Sequence, residues 1–138
     1  MKSSMASRIL FLMILLNLNS CSNFYSTNNI YGVWKGQYEG KEISFVFDTD
    51  NACTLSYWEK SSQSFQTING DFELDFSKKP VQLNIRNIPQ MNHPLYTILE
   101  FVTVDSFRIA EFAPRWRVRP ISFHKDKTII LNRVRGTD

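Results

Sequence analysis

The sequence is poor in the residues that carry chemistry. It has two histidines and two cysteines in 138 residues. His93 and His124 are far apart and have no carboxylate or thiol at metal-ligand spacing, so no zinc centre is expected. There is no Gly-x-Ser-x-Gly elbow, no glycine-rich phosphate loop and no convincing nucleophile triad. Neither an enzyme nor a cofactor is therefore expected, and no catalytic or metal residue is assigned. No apolar run reaches the roughly 20 residues needed to span a bilayer. Charge of one sign is scarce too. Of 16 basic residues Lys2 and Arg8 fall in the first ten positions, and setting them aside leaves 14 against 13 acidic ones. That near-neutral balance argues against nucleic acid, because phosphate binding needs a clear excess of Lys and Arg. Glycine is also sparse, at five residues, whereas Phe, Tyr and Trp number 11, 5 and 3, and this composition excludes a disordered chain.

What is present begins with a leader. Lys2 and Arg8 precede an apolar run from Ile9 to Leu16, followed by small and polar residues, which is the layout of a secretory signal. Leu18-Asn19-Ser20-Cys21 resembles the lipobox of bacterial lipoproteins, with Asn19 departing from the residue usual at that position. The resemblance implies a signal peptide over residues 1–20, lipidation of Cys21 and a bacterial cell-envelope location, anchored to a membrane through the N-terminal lipid. Plain secretion after cleavage at Ser22, or a buried N-terminal helix, are the alternatives. Residues 21–29 are polar and read as a tether, with Phe24 and Tyr25 placed to touch either the membrane interface or the end of the domain.

Cysteine usage fits that layout. An acylated Cys21 cannot form a disulfide, which leaves Cys53 alone. Cys53 shares a strand face with Leu55 and Tyr57, so an inert buried thiol is expected; no neighbouring histidine or basic residue supports a reactive one.

From residue 30 to 135 the hydropathy period is two. Ile43, Phe45 and Phe47 alternate with Glu42, Ser44 and Val46, Asp48 to Asn51 supplies a turn, and the run through Leu55 and Tyr57 returns. Phe72, Leu74 and Phe76 alternate with Asp71, Glu73 and Asp75. That acidic face could hold calcium but reads more simply as solvated. Asn69-Gly70 is either a hairpin turn or a bulge within one long strand. Val81, Leu83 and Ile85 form a strand bracketed by Pro80 and Pro89, and further strands are expected at Tyr96 to Val104, Phe107 to Phe112, Arg117 to Phe123 and Thr128 to Val134. Pro89 to Pro94 reads as the only roomy loop. No helical period follows the leader. About eight short strands joined by short turns predict an all-β, up-and-down antiparallel barrel, because closure removes the sheet edges. A sandwich is the alternative.

Gly32-Val33-Trp34 resembles the Gly-x-Trp of lipocalins and their calycin relatives. Gly70 to Asp75, Lys79-Pro80 and Arg119-Pro120-Ile121-Ser122-Phe123 are similar to lipocalin-like domains of uncharacterised bacterial exported proteins. The resemblance implies that Trp34 plugs one barrel end and that an Arg of the last strand lies across it, Arg133 first and Arg135 second. It also implies a small hydrophobic or amphipathic ligand in the lumen.

Arg115-Trp116-Arg117-Val118-Arg119 is the remaining constellation. If extended, Arg115, Arg117 and Arg119 share one side and could grip an anionic ligand; otherwise they are solvated and pair with nearby acids such as Glu100, Glu111 or Asp71 to Asp75. Two function classes remain open: a membrane-anchored binding protein, and a cell-envelope protein-interaction module with a filled barrel.

Overall fold

The computed structural model describes residues 25–136. The signal segment 1–20 and Cys21 lie outside the described residues. Within them, alternating apolar side chains produce eight strands: β1 (Gly32–Tyr38), β2 (Lys41–Phe47), β3 (Ala52–Glu59), β4 (Ser64–Asp75), β5 (Val81–Arg86), β6 (Leu95–Thr103), β7 (Ser106–Ala110) and β8 (Thr128–Arg133). They pair in sequence order, all antiparallel, and β8 pairs back on β1 to close the barrel. Among the described residues no helix is long and apolar enough to cross a membrane.

The hairpins fall where the sequence places turn residues. Asn51 adopts φ 67°, and the Asp48 amide donates to the Ala52 carbonyl at 2.9 Å, closing the β2–β3 turn. Asn69-Gly70 resolves as the interior of one long β4. A side chain at Gly70 would come within 2.7 Å of the Arg86 carbonyl, so glycine lets the two backbones approach there.

Two expectations are corrected. Arg117 to Phe123 is not a strand: Trp116–Val118 is a short 3-10 turn, and Arg119-Pro120 interrupts any ladder because proline has no amide to donate. Nor is Pro89 to Pro94 the roomiest loop, since the connection from β7 to β8 runs from 111 to 127.

Closure of the β1–β8 seam depends on Gly36, which is paired with Leu131. A Cβ at Gly36 would fall well inside contact distance of the Ile130 carbonyl oxygen and 3.1 Å from Leu131 Cδ2. Gly36→Ala should therefore push the seam apart and destabilise by about 1–3 kcal/mol, read as a lower urea midpoint.

Residues paired across strands divide the lumen into two halves. Trp34, Phe45, Phe47, Leu83, Ile85, Leu99, Phe107 and Leu131 are essentially fully buried. The aromatic members interlock: Trp34 meets Phe107 at 4.6 Å between centroids, and Phe47 meets Phe72 at 4.9 Å, both edge to face. This half is solid. It lies where β1 begins and β2 ends, and the chain reaches it before residue 30: Tyr25 stacks on Phe101 at 4.5 Å, and Thr27–Asn29 forms a 3-10 turn.

Candidate functional site

At the filled end, Trp34 is fully buried and its indole Nε1 donates to the Ile30 carbonyl at 2.7 Å. The Arg133 guanidinium lies 4.2 Å over the indole ring. Its Nη1 donates to the Tyr31 carbonyl at 2.6 Å, Nη2 to the Asn29 carbonyl at 2.7 Å, and Nε to Asp105 Oδ1 at 3.0 Å. One side chain thus ties β8 to the segment preceding β1 and to the β6–β7 turn. Arg135 pairs with the other Asp105 oxygen, and among the described residues the cation over the Trp34 ring is Arg133.

Hydrogen bonding from Arg135, joined by Arg133, holds the Asp105 carboxyl below its ordinary value. A carboxylate held down in the folded state contributes stability above its unfolded pKa, near 4, and loses that contribution as pH falls through its folded value. The stability difference between the parent chain and Asp105→Asn should accordingly be constant above about pH 5 and shrink on acidification below about pH 4. Denaturant midpoints across that range measure it.

The opposite end is open. The β1–β2, β3–β4, β5–β6 and β7–β8 connections surround a cavity of about 550 Å³. Its floor and walls are Ile43, Leu55, Ile68, Leu95 and Ile129, with Phe112 and Met91 leaning in from the longer connections. Leu55 and Ile68 are direct cross-strand partners, which sets two branched side chains together on the floor. The period of two puts them inside; Phe45 and Phe47 on β2 and Phe72 on β4 fall further down the same strands as Ile43 and Ile68, so space is left above them.

The mouth is polar. Tyr38, Tyr57 and Trp58 rim it together with Glu39, Lys41, Glu42, Glu59, Lys60 and Glu111. Lys60 pairs with Glu39, tying the β1–β2 turn to the β3–β4 turn, and Lys41 Nζ stands 4.5 Å over the Trp58 ring. Burial, then the nearby Glu59 charge, raises the Tyr57 pKa, so its hydroxyl is a neutral donor and acceptor at the mouth. The arrangement can enclose an apolar body and leave a polar end in water.

The three arginines singled out in the sequence line no part of this cavity. Arg119 reaches the outer barrel wall, where Nη1 donates to the Thr97 carbonyl at 3.0 Å and Nη2 to Asn84 Oδ1 at 2.5 Å, with the guanidinium 5.1 Å from the Tyr96 ring centre. Arg115 and Arg117 are exposed on either side of the 3-10 turn's first residue. The common-side geometry needed an extended backbone, which the turn and Pro120 remove. Cys53 is buried on the inward face of β3, and burial, then the Asp48 charge, pushes its thiol up to about 12. Among the described residues no group of three or more His, Cys, Asp and Glu side chains converges as metal ligands would.

Sequence reasoning missed the cavity lining as a site. Its signal was the order of inward residues on β2 and β4, where Ile43 and Ile68 stand towards the mouth and Phe45, Phe47 and Phe72 towards the filled end. In comparisons with known proteins, no family model, no curated protein and no solved structure matches this chain.

Proposed function

We propose that this chain is a lipid-anchored protein of the bacterial cell envelope whose lipocalin-like barrel binds a small apolar or amphipathic molecule. The observation that carries the proposal is the cavity of about 550 Å³ at the open end, walled by Ile43, Leu55, Ile68, Leu95 and Ile129. Small-molecule sites usually occupy roughly 300–1,000 Å³, are mainly apolar and carry a few polar groups that fix orientation. Tyr38, Tyr57 and the charged rim supply those groups here. Trp34 and Arg133 belong to the other end, where they close the barrel and keep it rigid. The ligand enters tail first, burying its apolar body against the aliphatic floor and keeping any polar end at the rim. The leader and Leu18-Asn19-Ser20-Cys21 support the anchor.

Native mass spectrometry of the chain purified from its host membranes tests both parts. A lipid-modified mass with a copurifying small molecule is the expected result. A bare domain mass bound to another protein would favour the interaction-module reading instead.

A further inference from the structure

The long β7–β8 connection has a composition that neither the barrel nor the cavity uses. Between Ala113 and Lys125 it carries Arg115, Arg117, Arg119 and Lys125 and no acidic residue. Three large apolar side chains stand in the same stretch with little cover: Trp116 is 64 % exposed, Val118 60 % and Ile121 88 %. Such side chains raise the free energy of a soluble surface unless something else covers them.

Arg119 explains why they stay out in water. Its guanidinium is spent on the outer wall, donating to the Leu83 and Thr97 carbonyls and to Asn84 Oδ1, so the middle of the connection is pinned to the barrel. Phe123 is held in turn by the Arg108 guanidinium, 4.2 Å from its ring centre. Between these two fixings lies Ile121. Before them, the 3-10 turn at Trp116–Val118 presents Trp116 and Val118, with Arg117 lying 5.2 Å from the Trp116 ring centre.

The charges point the same way. Among the described residues Arg115, Arg117 and Lys125 make no ion pair, as Lys41, Lys78 and Lys79 do not elsewhere, but only in this connection do such cations stand beside exposed Trp116, Val118 and Ile121 with no acid between Ala113 and Lys125. Glu111 is paired with Lys127 at 3.3 Å, which leaves Asp126 as the acid beside the stretch. An uncompensated cationic segment bearing an exposed tryptophan and exposed aliphatics matches a surface that is anionic outside and apolar just beneath. A protein groove would have to supply both features in register, but an anionic bilayer has them everywhere.

We infer that the Ala113–Lys125 connection is a peripheral docking site for anionic lipid bilayers. Trp116, Val118 and Ile121 enter the headgroup boundary while Arg115, Arg117 and Lys125 meet lipid phosphates. The site is separate from the cavity and does not depend on what the cavity binds.

The test uses residues 25–138, which contain every strand of the closed barrel, so that no N-terminal lipid contributes. Sedimentation with vesicles of phosphatidylcholine containing phosphatidylglycerol should show binding that falls with added salt, and vesicles of phosphatidylcholine alone should show little. Trp116 fluorescence should shift to the blue, and the shift should vanish in Trp116→Phe. Arg115→Gln with Arg117→Gln should weaken binding about thirty-fold, from roughly 1 kcal/mol per cation near an anionic surface. Lys35→Gln with Lys78→Gln, an equal charge loss elsewhere, should change it less than about two-fold. Ile121→Asp should abolish binding, with circular dichroism confirming that the barrel is intact. Absence of binding to the anionic vesicles would overturn the inference. So would binding that survives Ile121→Asp without a Trp116 shift, since that is adsorption by net charge alone.

Discussion

Trp34→Ala should cost about 3–5 kcal/mol of stability, the largest loss from any single truncation in this barrel. The indole is fully buried, lies between Phe107 on one side and the Arg133 guanidinium on the other, and donates its only polar hydrogen to the Ile30 carbonyl. Truncation removes the apolar burial and opens a void. It also leaves the Ile30 carbonyl without its partner in a buried setting and strands a guanidinium above an empty space. Trp34→Phe keeps most of the ring volume but loses the Nε1 donor, so it should fall between the parent and the alanine variant. Equilibrium urea unfolding read by the remaining tryptophans measures both. The damage should be confined to stability, because Trp34 does not line the cavity.

Filling the cavity should have the opposite signature. Leu55→Phe with Ile68→Phe places two aromatic rings on the floor from directly paired positions of β3 and β4. The rings occupy the space proposed for an apolar ligand, so binding should drop by at least about 100-fold, a loss of roughly 3 kcal/mol or more. Stability should hold or rise, since the added apolar surface is buried in a void and does not force neighbours apart. The measurement is a paired one: ligand titration and urea unfolding on the same variant. Loss of binding together with a matching loss of stability would mean overpacking, and the cavity would then be smaller than its outline suggests.

The two substitutions separate the halves of the lumen. Barrel architecture was legible from the sequence because a period of two leaves no choice about which residues face inward, and short turns leave little choice about strand order. Asp48 to Asn51, Pro80 and Pro89 fall at element ends, where their backbone restrictions are useful. Trp34 and Arg133 were legible as a pair only through resemblance; in the structure their strand positions are direct cross-strand partners, which brings them together from 99 residues apart on β1 and β8.

The Ala113–Lys125 connection defeated the same reasoning for a physical reason. Trp116, Val118 and Ile121 do not follow one strand alternation, Pro120 cannot donate to a ladder, and Arg119 looks like a surface charge until the Leu83 and Thr97 carbonyls come within its reach. Side chains that satisfy backbone carbonyls across more than 20 residues leave no local trace. The cavity was hidden differently. Its floor is made of ordinary core aliphatics, and what makes them a candidate site is the space left between them, a property of the strands taken together.

The most direct measurement is a fluorescence titration of residues 25–138 with N-phenyl-1-naphthylamine, a small neutral apolar probe. A saturable rise at one probe per chain is predicted, with a Kd on the order of micromolar, and it should be lost in Leu55→Phe with Ile68→Phe while the variant remains folded. A flat titration for the parent chain, or equal binding by the filled variant, would contradict the account of the open end as a ligand site.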